Sequence, residues 1–275
     1  MKIALIGLGT TGKIVAEFLV KEQALSVVLC RKNSPDAGKD LSEILHRPYM
    51  AVPVETIDNL EETLVKYKPD VLIDFSSPSF LRENLTTLAR CNVNVVTAVT
   101  GYTQMDIKRA KVLARKQKFG VVFAPNITRG VNVMLLMAQI AAILQPDYDF
   151  QVIDENHRNK KDSPSGTAEK IATAIMKGLG KRSDEDELVP IHSIRAGDIT
   201  GRHKVLACGL YDQIEITHTA FSRKAYAEGA YKAACFILGK TGLYEMKDVY
   251  GLGNYTCAKE RFGDATELPL SNAYA

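Results

Sequence analysis

Short apolar runs alternate with segments of helical periodicity along the first half of the chain. The run KIALI at 2–6 is followed by GLGTTG and then by KIVAEFLVKEQ, in which apolar residues recur at helical spacing. Further strand-like runs occupy positions 25–30, 51–54, 70–75, 93–99 and 120–124, with helical segments between several of them. This alternation is typical of an α/β fold built on a doubly wound parallel sheet.

The pattern changes from about residue 126 onward. A long apolar helix is predicted within 126–144 and another helix within about 222–239. Between them lie strand-like segments separated by short turns, at 149–154, 188–195, 203–210 and 212–219. Their alternating or apolar character predicts a mixed or antiparallel sheet in a second, α+β domain. We therefore expect one domain from residues 1–126 and 240–275, including a helical segment at 241–252, and another from residues 127–239.

The glycine-rich loop after the first strand predicts a dinucleotide site. Gly7 permits a tight turn, Gly9 lets the backbone approach a pyrophosphate, and Gly12 lets the helix pack closely on the strand. Thr10 and Thr11 lie at the predicted helix N-terminus, where unpaired amides attract phosphate. The motif alone is weak, but its place between a strand and a helix indicates a Rossmann-type sheet.

The end of the second predicted strand bears on the choice of cofactor. An NAD site more often has an acidic residue there for the ribose 2′-hydroxyl, whereas this chain has Arg31 and Lys32. Two cations favour the 2′-phosphate, so NADPH is the preferred cofactor and NADH a possible one. The alternative is that both residues are solvated loop cations.

Further cofactor contacts are expected where other strands end. Doubly wound sheets bind ligands at the carboxyl ends of their strands. Small and hydroxyl residues follow the fourth and fifth predicted strands, and they suit a flat ring lying against backbone. The residues assigned to the cofactor at this edge are Ser76, Ser77, Thr100, Gly101, Pro125 and Asn126.

The charged stretch DENHRNKKDSPSGTA at 154–168 predicts an anion site. Ser163 is a suitable N-cap and Pro164 a suitable first helical residue. The amides of Ser165, Gly166 and Thr167 would then point outward at the positive end of the helix dipole, where a carboxylate or a phosphate binds.

Lys160 and His157 precede this predicted helix and lie three positions apart. A reductase that delivers hydride to a C=N bond needs a proton for the nitrogen and cations to hold carboxylates. A lysine and a histidine supply both. The alternative, a solvated lysine and a hydrogen-bonded loop histidine, is equally compatible with these residues alone.

The composition narrows the class of function. A net charge of +3 over 275 residues, without a basic stripe interleaved with aromatics, gives no reason to expect a nucleic-acid partner. No apolar run approaches the roughly 20 residues that span a bilayer, so no membrane association is expected. The five cysteines include no CxxC pair and indicate free thiols in a reducing compartment. We therefore expect a cytoplasmic protein with a small-molecule partner.

The histidines do not indicate a metal site. None of His157, His192, His203 and His218 stands at a spacing typical of preformed metal ligation. No metal is therefore expected.

Six segments together resemble a known family. They are DFSSPS at 74–79, FAPNITRGVNVM at 123–134, HRNKKDSPSGTA at 157–168, IRAGDITGRH at 194–203, QIEITHTAFSR at 213–223 and GLYEMKDVYGL at 242–252. In this order they resemble the motifs of dihydrodipicolinate reductase, an enzyme of bacterial and plant lysine biosynthesis. The likeness covers about residues 1–254.

The resemblance implies an NAD(P)H-binding first domain and a second domain that binds substrate and assembles a homotetramer. It implies hydride transfer to a cyclic unsaturated dicarboxylate, which converts 4-hydroxy-tetrahydrodipicolinate to tetrahydrodipicolinate in lysine and diaminopimelate biosynthesis. Lys160 resembles the family's catalytic lysine, and His157 the second of its paired histidines. The positions that the resemblance assigns to substrate are Asn156, Ser165, Gly166, Thr167, Thr100 and Arg223.

Departures from the family pattern fall at the same sites. Asn156 stands where the family has the first histidine of its pair, and asparagine has no titratable proton near neutral pH. Ala98-Val99-Thr100-Gly101 replaces Gly-Thr-Thr-Gly. Two alternatives therefore stay open: a related imine reductase or amino-acid dehydrogenase-type enzyme with another substrate, and a catalytically silent NADP-binding protein. The tail after residue 254 extends past the usual family end.

Overall fold

The computed structural model describes residues 1–181 and 188–253. The chain divides into two compact units. The first comprises Met1–Thr128 and Arg223–Tyr250, and the second contains Arg129–Ser222. The tail from residue 254, which we expected to belong to the first domain, lies outside the described residues.

The secondary structure follows the predicted order. The strands of the described residues are β1 (Ile3–Ile6), β2 (Leu25–Cys30), β3 (Val54–Thr56), β4 (Val71–Asp74), β5 (Asn94–Thr97), β6 (Gly120–Phe123), β7 (Asp149–Asn156), β8 (Ile191–Arg195), β9 (Arg202–Cys208), β10 (Gln213–Thr219) and β11 (Gly242–Glu245). The α-helices there are α1 (Thr10–Lys21), α2 (Leu41–Leu45), α3 (Leu60–Tyr67), α4 (Pro78–Arg90), α5 (Gln104–Gln117), α6 (Arg129–Leu144), α7 (Gly166–Gly178), α8 (Lys224–Ile237) and α9 (Met246–Val249). A 3₁₀ turn, Ile57–Asn59, precedes α3.

The first unit is built on a parallel sheet. Within the described part of the chain its seven strands run in the order β11-β6-β5-β4-β1-β2-β3, and every pair in it is parallel. Helices cover both faces, so the strands are near-continuous apolar runs. The strand order reverses between β1 and β4, which is the switch point where such sheets bind ligands.

Alternate residues of β1 enter two separate cores. Ile3 and Leu5 pack in a cluster with α1 and α8, whereas Ala4 and Ile6 pack in a cluster with α3, α4 and α5. This division follows from the two-residue period of a strand. The predicted doubly wound fold is confirmed.

The second boundary between the units lies near residue 223 and not near residue 240. Helix α8, which we placed in the second domain, packs with the first unit. Its buried face consists of small residues, Ala227, Gly229, Ala230, Ala233 and Ala234. A side chain at Gly229 would overlap the carbonyl oxygen of Ile127, so close approach explains the small residues. The sequence pattern identified an amphipathic helix but did not identify its partner.

The segment at 241–252 is only partly helical. Its first half forms β11, an edge strand paired in parallel with β6 through Gly242 and Gly120 at one end and Glu245 and Phe123 at the other. Its second half forms the short helix α9. The expectation of a single helix was wrong. The four residues of β11 are held as a strand by pairing with β6, and so short a segment shows no alternating pattern in the sequence that would predict a strand.

Two strands begin later than expected because a proline precedes each. We placed a strand at 51–54, but β3 begins at Val54, after Pro53. We placed another at 188–195, but β8 begins at Ile191, after Pro190. Proline has no amide hydrogen to donate to a ladder.

The second unit contains a mixed sheet. Its strands among the described residues run in the order β10-β9-β7-β8, with β7 and β8 parallel and β9 antiparallel to both β7 and β10. Residues of α6 and α7, such as Met134 and Ile171, form a core with the strand residues Phe150, Val152 and Val205. The predicted mixed or antiparallel sheet is confirmed. No described helix is long and apolar enough to span a membrane.

Candidate functional site

The glycine loop between β1 and α1 has little space around two of its three glycines. Gly7 has a φ of +100°, and a Cβ there would lie 2.6 Å from the carbonyl carbon of Phe75. A Cβ at Gly12 would overlap the carbonyl oxygen of Gly7. Around Gly9, the N-cap of α1, a Cβ would meet nothing within 4 Å. Gly7 and Gly12 are therefore required by packing, and Gly9 leaves the helix terminus open to a ligand.

A cavity lies at the carboxyl ends of β4 and β5. Its volume is about 300 Å³, and its lining residues are Phe75, Ser76, Ser77, Pro78, Ala98, Val99 and Thr100. Three residues that we assigned to the cofactor, Ser76, Ser77 and Thr100, therefore share one cavity. Gly101 follows with a φ of +86°, and its carbonyl accepts a hydrogen bond from Arg82 Nη2 at 3.3 Å.

A buried carboxylate joins the two loops that line this cavity. Asp74, at the end of β4, accepts hydrogen bonds from the amide and hydroxyl of Ser76, at 2.8 and 2.6 Å. It also accepts from Thr97 Oγ1 at 3.2 Å and from the Tyr102 hydroxyl at 3.3 Å. Burial raises the pKa of Asp74 although these donors oppose the shift, and Asp74 has no ion pair with a cation among the described residues. Burial, together with the charge of Asp74, raises the pKa of Tyr102 as well.

The other predicted cofactor residues lie at the same edge of the sheet. Arg31 and Lys32 directly follow β2, are exposed, and form no ion pair within the described residues. Thr10 and Thr11 begin α1. Pro125 and Asn126 follow β6 and are half-buried. The glycine loop, the cavity and the two cations suit a nicotinamide dinucleotide, whose phosphates need open amides and whose ring needs a flat slot.

In the second unit, the N-terminus of α7 differs from our expectation. The N-cap is Ser165, whose hydroxyl accepts a hydrogen bond from the amide of Ala168 at 3.2 Å. The assignment of the N-cap to Ser163 and of the first helical position to Pro164 was wrong. The peptide bond between Ser163 and Pro164 is cis, and both residues precede the helix.

Ser165 is turned inward rather than toward a ligand. Its amide donates to Asp154 Oδ2 at 2.9 Å and its hydroxyl to Asp154 Oδ1 at 2.8 Å, and the residue is 3% exposed. A protein carboxylate therefore occupies its amide and hydroxyl in this structure, and a substrate contact for Ser165 stays a prediction. The outer part of the helix terminus consists of Gly166, which is exposed with open space around it, and Thr167, which is half-buried.

Asp154 is the centre of a buried polar network. Besides Ser165, its carboxylate binds Arg195 Nη2 at 2.8 Å, His203 Nε2 at 3.3 Å and Asn156 Nδ2 at 2.6 Å. Burial alone would raise the pKa of Asp154, but the hydrogen bonds from His203, Arg195 and Ser165 outweigh it and hold the pKa well below its usual range. The group is therefore a carboxylate at any physiological pH.

Asn156 does not present its side chain as a surface donor. It is 6% exposed, and its amide group donates inward to Asp154. Asn156 and Asp154 lie two residues apart on β7, so they share the buried face of the mixed sheet. The side chain of Asn156 thus contacts Asp154 in this structure, and a substrate contact for Asn156 stays a prediction.

Lys160 lies in the loop between β7 and α7 and pairs with Asp162. The ammonium nitrogen lies 2.8 Å from Asp162 Oδ2, and the side chain of Lys160 is 26% exposed. Burial would raise the pKa of Asp162, but the hydrogen bond that it accepts from Lys160, together with smaller contributions, outweighs this and lowers the pKa. The amide of Lys160 donates to the carbonyl of His157 at 3.1 Å, which closes a turn. The structure thus places a cation in the loop that leads to α7.

Arg223 does not belong to the unit that contains this loop. It directly precedes α8, where its carbonyl accepts a hydrogen bond from the amide of Tyr226 at 3.0 Å. It belongs to the first unit, not to the one that contains Lys160. A substrate contact for Arg223 stays a prediction.

Sequence reasoning missed six residues of these two networks: Asp74, Thr97, Tyr102, Asp154, Arg195 and His203. A signal for Asp154 was present, because it stands in register with Phe150 and Val152 on the apolar face of β7. An acid at an apolar position of a strand indicates a buried partner. Arg195 and His203 carry no such signal, since their meeting with Asp154 depends on strand pairing.

Comparison with known families covers nearly the whole described chain. The family model described as "Dihydrodipicolinate reductase, N-terminus" matches residues 1–127. The model described as "Dihydrodipicolinate reductase, C-terminus" matches residues 130–250.

Individual relatives agree with these matches. The 4-hydroxy-tetrahydrodipicolinate reductase of Methanosarcina mazei is 37% identical over 225 residues, which cover 78% of this chain and 86% of that protein. The reductase of the same name from Ralstonia nicotianae is 36% identical over 270 residues, covering 92% and 100%. Among solved structures, dipicolinate-bound dihydrodipicolinate reductase from Paenisporosarcina sp. TG-14 superposes with a TM-score of 0.72 at 26% identity, covering 89% of this chain and 97% of that one.

The glycine loop yields a matched pair of substitutions. We expect Gly12→Ala to lower the free energy of unfolding by about 3 kcal/mol, because the added Cβ overlaps the Gly7 carbonyl. Gly9→Ala should cost only about 1 kcal/mol, as alanine is a weaker N-cap than glycine. It should nevertheless weaken dinucleotide binding about tenfold by hindering the phosphates.

Urea unfolding and titration of reduced-nicotinamide fluorescence measure the two effects separately. Equal loss of stability in both variants would contradict the packing argument. Unchanged binding by Gly9→Ala would contradict the phosphate site.

Proposed function

The chain belongs to the dihydrodipicolinate reductase family, and from this premise we propose that it reduces 4-hydroxy-tetrahydrodipicolinate to tetrahydrodipicolinate. It is an oxidoreductase, and the reaction belongs to lysine and diaminopimelate biosynthesis. The match to both family models over residues 1–127 and 130–250 carries this proposal. The relatives named above share one activity in their names, so a different imine substrate is not favoured.

The substrate class is supported by the chemistry of the second unit. The relative from Paenisporosarcina is described as bound to dipicolinate, a flat ring with two carboxylates. In this chain the N-terminus of α7 offers Gly166 and Thr167 to one carboxylate, where the helix dipole favours an anion. Lys160 supplies a positive charge in the preceding loop. A cyclic dicarboxylate thus meets an anion site for one of its carboxylates and a cation in the same unit.

Lys160 is the proposed proton donor. The conversion consumes one hydride and one proton and releases one water, so an acid is needed beside the bound ring. Asn156 has no titratable proton, and its amide group is engaged with Asp154. The Lys160 ammonium carries protons and is held by Asp162 at the loop surface. The role is general-acid catalysis.

The first unit supplies the nicotinamide site. When bound, a reduced nicotinamide dinucleotide supplies the hydride. Gly9 leaves the α1 N-terminus open for its phosphates, and Ser76 and Thr100 line the cavity in which the ring is proposed to bind. Asp74 fixes the two loops that line the cavity, because its carboxylate accepts hydrogen bonds from Ser76 and Thr97.

NADPH is the proposed preference over NADH. Arg31 and Lys32 are exposed directly after β2, at the position where the adenosine ribose of such a cofactor is held. Two cations attract the 2′-phosphate, which NADH lacks. NADH remains a usable substrate in this proposal because the other contacts do not depend on that phosphate.

We also propose that the protein is a homotetramer assembled through the outer face of the mixed sheet. Helices α6 and α7 cover the inner face, whereas Ile153 and Leu206 lie half-exposed on the outer one, and Ile194 is 46% exposed. Ion pairs such as Arg202 with Glu155 and Lys204 with Glu215 frame these apolar residues. A second copy of the same face would bury them.

A cytoplasmic location is proposed from the thiols. Cys30, Cys91, Cys208 and Cys235 are free in the described part of the chain. Free thiols persist in a reducing compartment. The cofactor and the amino-acid substrate class suit the same compartment.

Lys160→Met tests the proton donor. We expect kcat to fall about 100- to 1,000-fold, because an ammonium that delivers a proton is lost while side-chain length is kept. NADPH binding should not change, since Lys160 lies in the other unit. NADPH oxidation with enzymatically generated substrate measures the rate, and Lys161→Met, an exposed neighbour, is the control. A wild-type rate in Lys160→Met would exclude this role.

Replacing both Arg31 and Lys32 by alanine tests cofactor choice. We expect the Kd of NADPH to rise about tenfold or more, equivalent to at least ~1.4 kcal/mol, with that of NADH unchanged. The difference should shrink as salt rises, because exposed charges are screened. Lys111→Ala, which removes an exposed cation from α5, is the control. Equal losses for both cofactors would contradict recognition of the 2′-phosphate.

Leu206→Glu tests the assembly. We expect a tetramer for the wild type by light scattering and a smaller species for the variant, because a charge is buried at the proposed interface. Val65→Glu places the same charge on an exposed position of α3 and should leave the tetramer intact. A wild-type monomer, or an unaffected Leu206→Glu tetramer, would argue against this interface.

A further inference from the structure

Arg195 contacts both ends of the segment that contains Lys160. From β8, its Nη1 donates to the carbonyl of Asp154 at 3.0 Å and its Nη2 to the Asp154 carboxylate at 2.8 Å. The same Nη2 donates to the carbonyl of Asp162 at 2.8 Å. One guanidinium therefore links the end of β7 to the loop that follows it.

Asp154 extends this link to helix α7. Its carboxylate is fully buried and accepts both the amide and the hydroxyl of Ser165, the N-cap. The helix terminus offered to a substrate carboxylate begins at the next residue, Gly166. The position of that terminus is therefore tied to Asp154 and, through it, to Arg195.

Asp162 extends the link to Lys160. Arg195 holds the backbone carbonyl of Asp162, and the side chain of the same residue holds the Lys160 ammonium at 2.8 Å. The Lys160 side chain is half-buried, and Asp162 is the acid with which its ammonium pairs. The location of the ammonium thus depends on where Arg195 places Asp162.

We propose that the Asp154–Arg195 ion pair is a positioning device that sets the Lys160 ammonium and the N-terminus of α7 relative to each other. The proposal rests on the proposed function of Lys160 as proton donor. Arg195 and Asp154 touch no substrate in this scheme and act through Asp162 and Ser165. Catalysis needs this arrangement because acid and carboxylate anchor must meet one rigid ring at once.

The geometry requires a guanidinium at position 195. Its planar group donates in three directions, to the Asp154 carboxylate, the Asp154 carbonyl and the Asp162 carbonyl. A lysine keeps the charge but cannot make the same set of bonds. Arg195→Lys therefore preserves the ion pair with buried Asp154 and loses the hold on the loop.

A double-mutant cycle separates positioning from a merely structural role. We expect Arg195→Lys to lower kcat about 10- to 100-fold, the effect of an acid displaced by about 1 Å, with NADPH affinity unchanged. In a Lys160→Met background the same substitution should change kcat less than about twofold, because the displaced acid is already absent. A structural role predicts the same fold-loss in both backgrounds, and that result would overturn the proposal.

Matched variants keep the test decisive. Arg90→Lys makes the same change in an exposed ion pair with Glu61 and should leave kcat unchanged. If Arg195→Lys fails to fold, Asp154→Asn, which keeps the shape and removes the charge, should show the same dependence on Lys160. Thermal unfolding monitored by circular dichroism identifies which variants are folded.

Binding of dipicolinate provides a second readout, since the α7 terminus is also expected to move. Calorimetry should show weaker binding in Arg195→Lys and unchanged binding in Arg90→Lys. An inactive wild type would defeat the proposed function, and the inference with it. An active wild type whose turnover and dipicolinate affinity survive Arg195→Lys would defeat the inference alone.

Discussion

A carboxylate buried at the end of β7 organises the second unit. Asp154 is inaccessible to solvent, so its charge has to be balanced from within, and Arg195, His203, Asn156 and Ser165 provide the donors. The donors come from different segments of the chain. Because all of them bind the Asp154 carboxylate, their segments are held in place relative to one another. The start of α7, the loop before it and two strands of the mixed sheet are thereby held together.

The first unit also has a buried carboxylate at the end of a strand, but the pKa of this carboxylate is shifted in the opposite direction. Asp74 also ends a strand and also binds the loop that follows it, through Ser76. Its partners are hydroxyls and an amide, with no cation among them, and burial raises its pKa. Asp154 faces Arg195, and its pKa is lowered. Both carboxylates fix loops at the candidate sites, and their pKa values are shifted in opposite directions.

The asparagine at position 156 is understood in this setting. It stands where the sequence resemblance predicts a histidine, and its amide group donates a hydrogen bond to Asp154. A neutral donor there adds a hydrogen bond to a carboxylate that already has a cation, without adding a second charge to a buried site. In the proposed function the acid for the reduction is Lys160, which lies in the loop and is half-buried.

The sequence by itself determined the parallel sheet, the second mixed sheet, the glycine loop and the family, because periodicity, glycine sterics and short motifs are local properties. Most strands and helices fell within a few residues of their expected positions. Only the tertiary structure decided that α8 packs on the first unit, that Ser165 and not Ser163 caps α7, and that Arg195 meets Asp154 across 41 positions. These outcomes depend on which surfaces and strands come together. A hydrogen bond between residues that are far apart in the sequence produces no periodic pattern of apolar and polar residues from which it could be predicted.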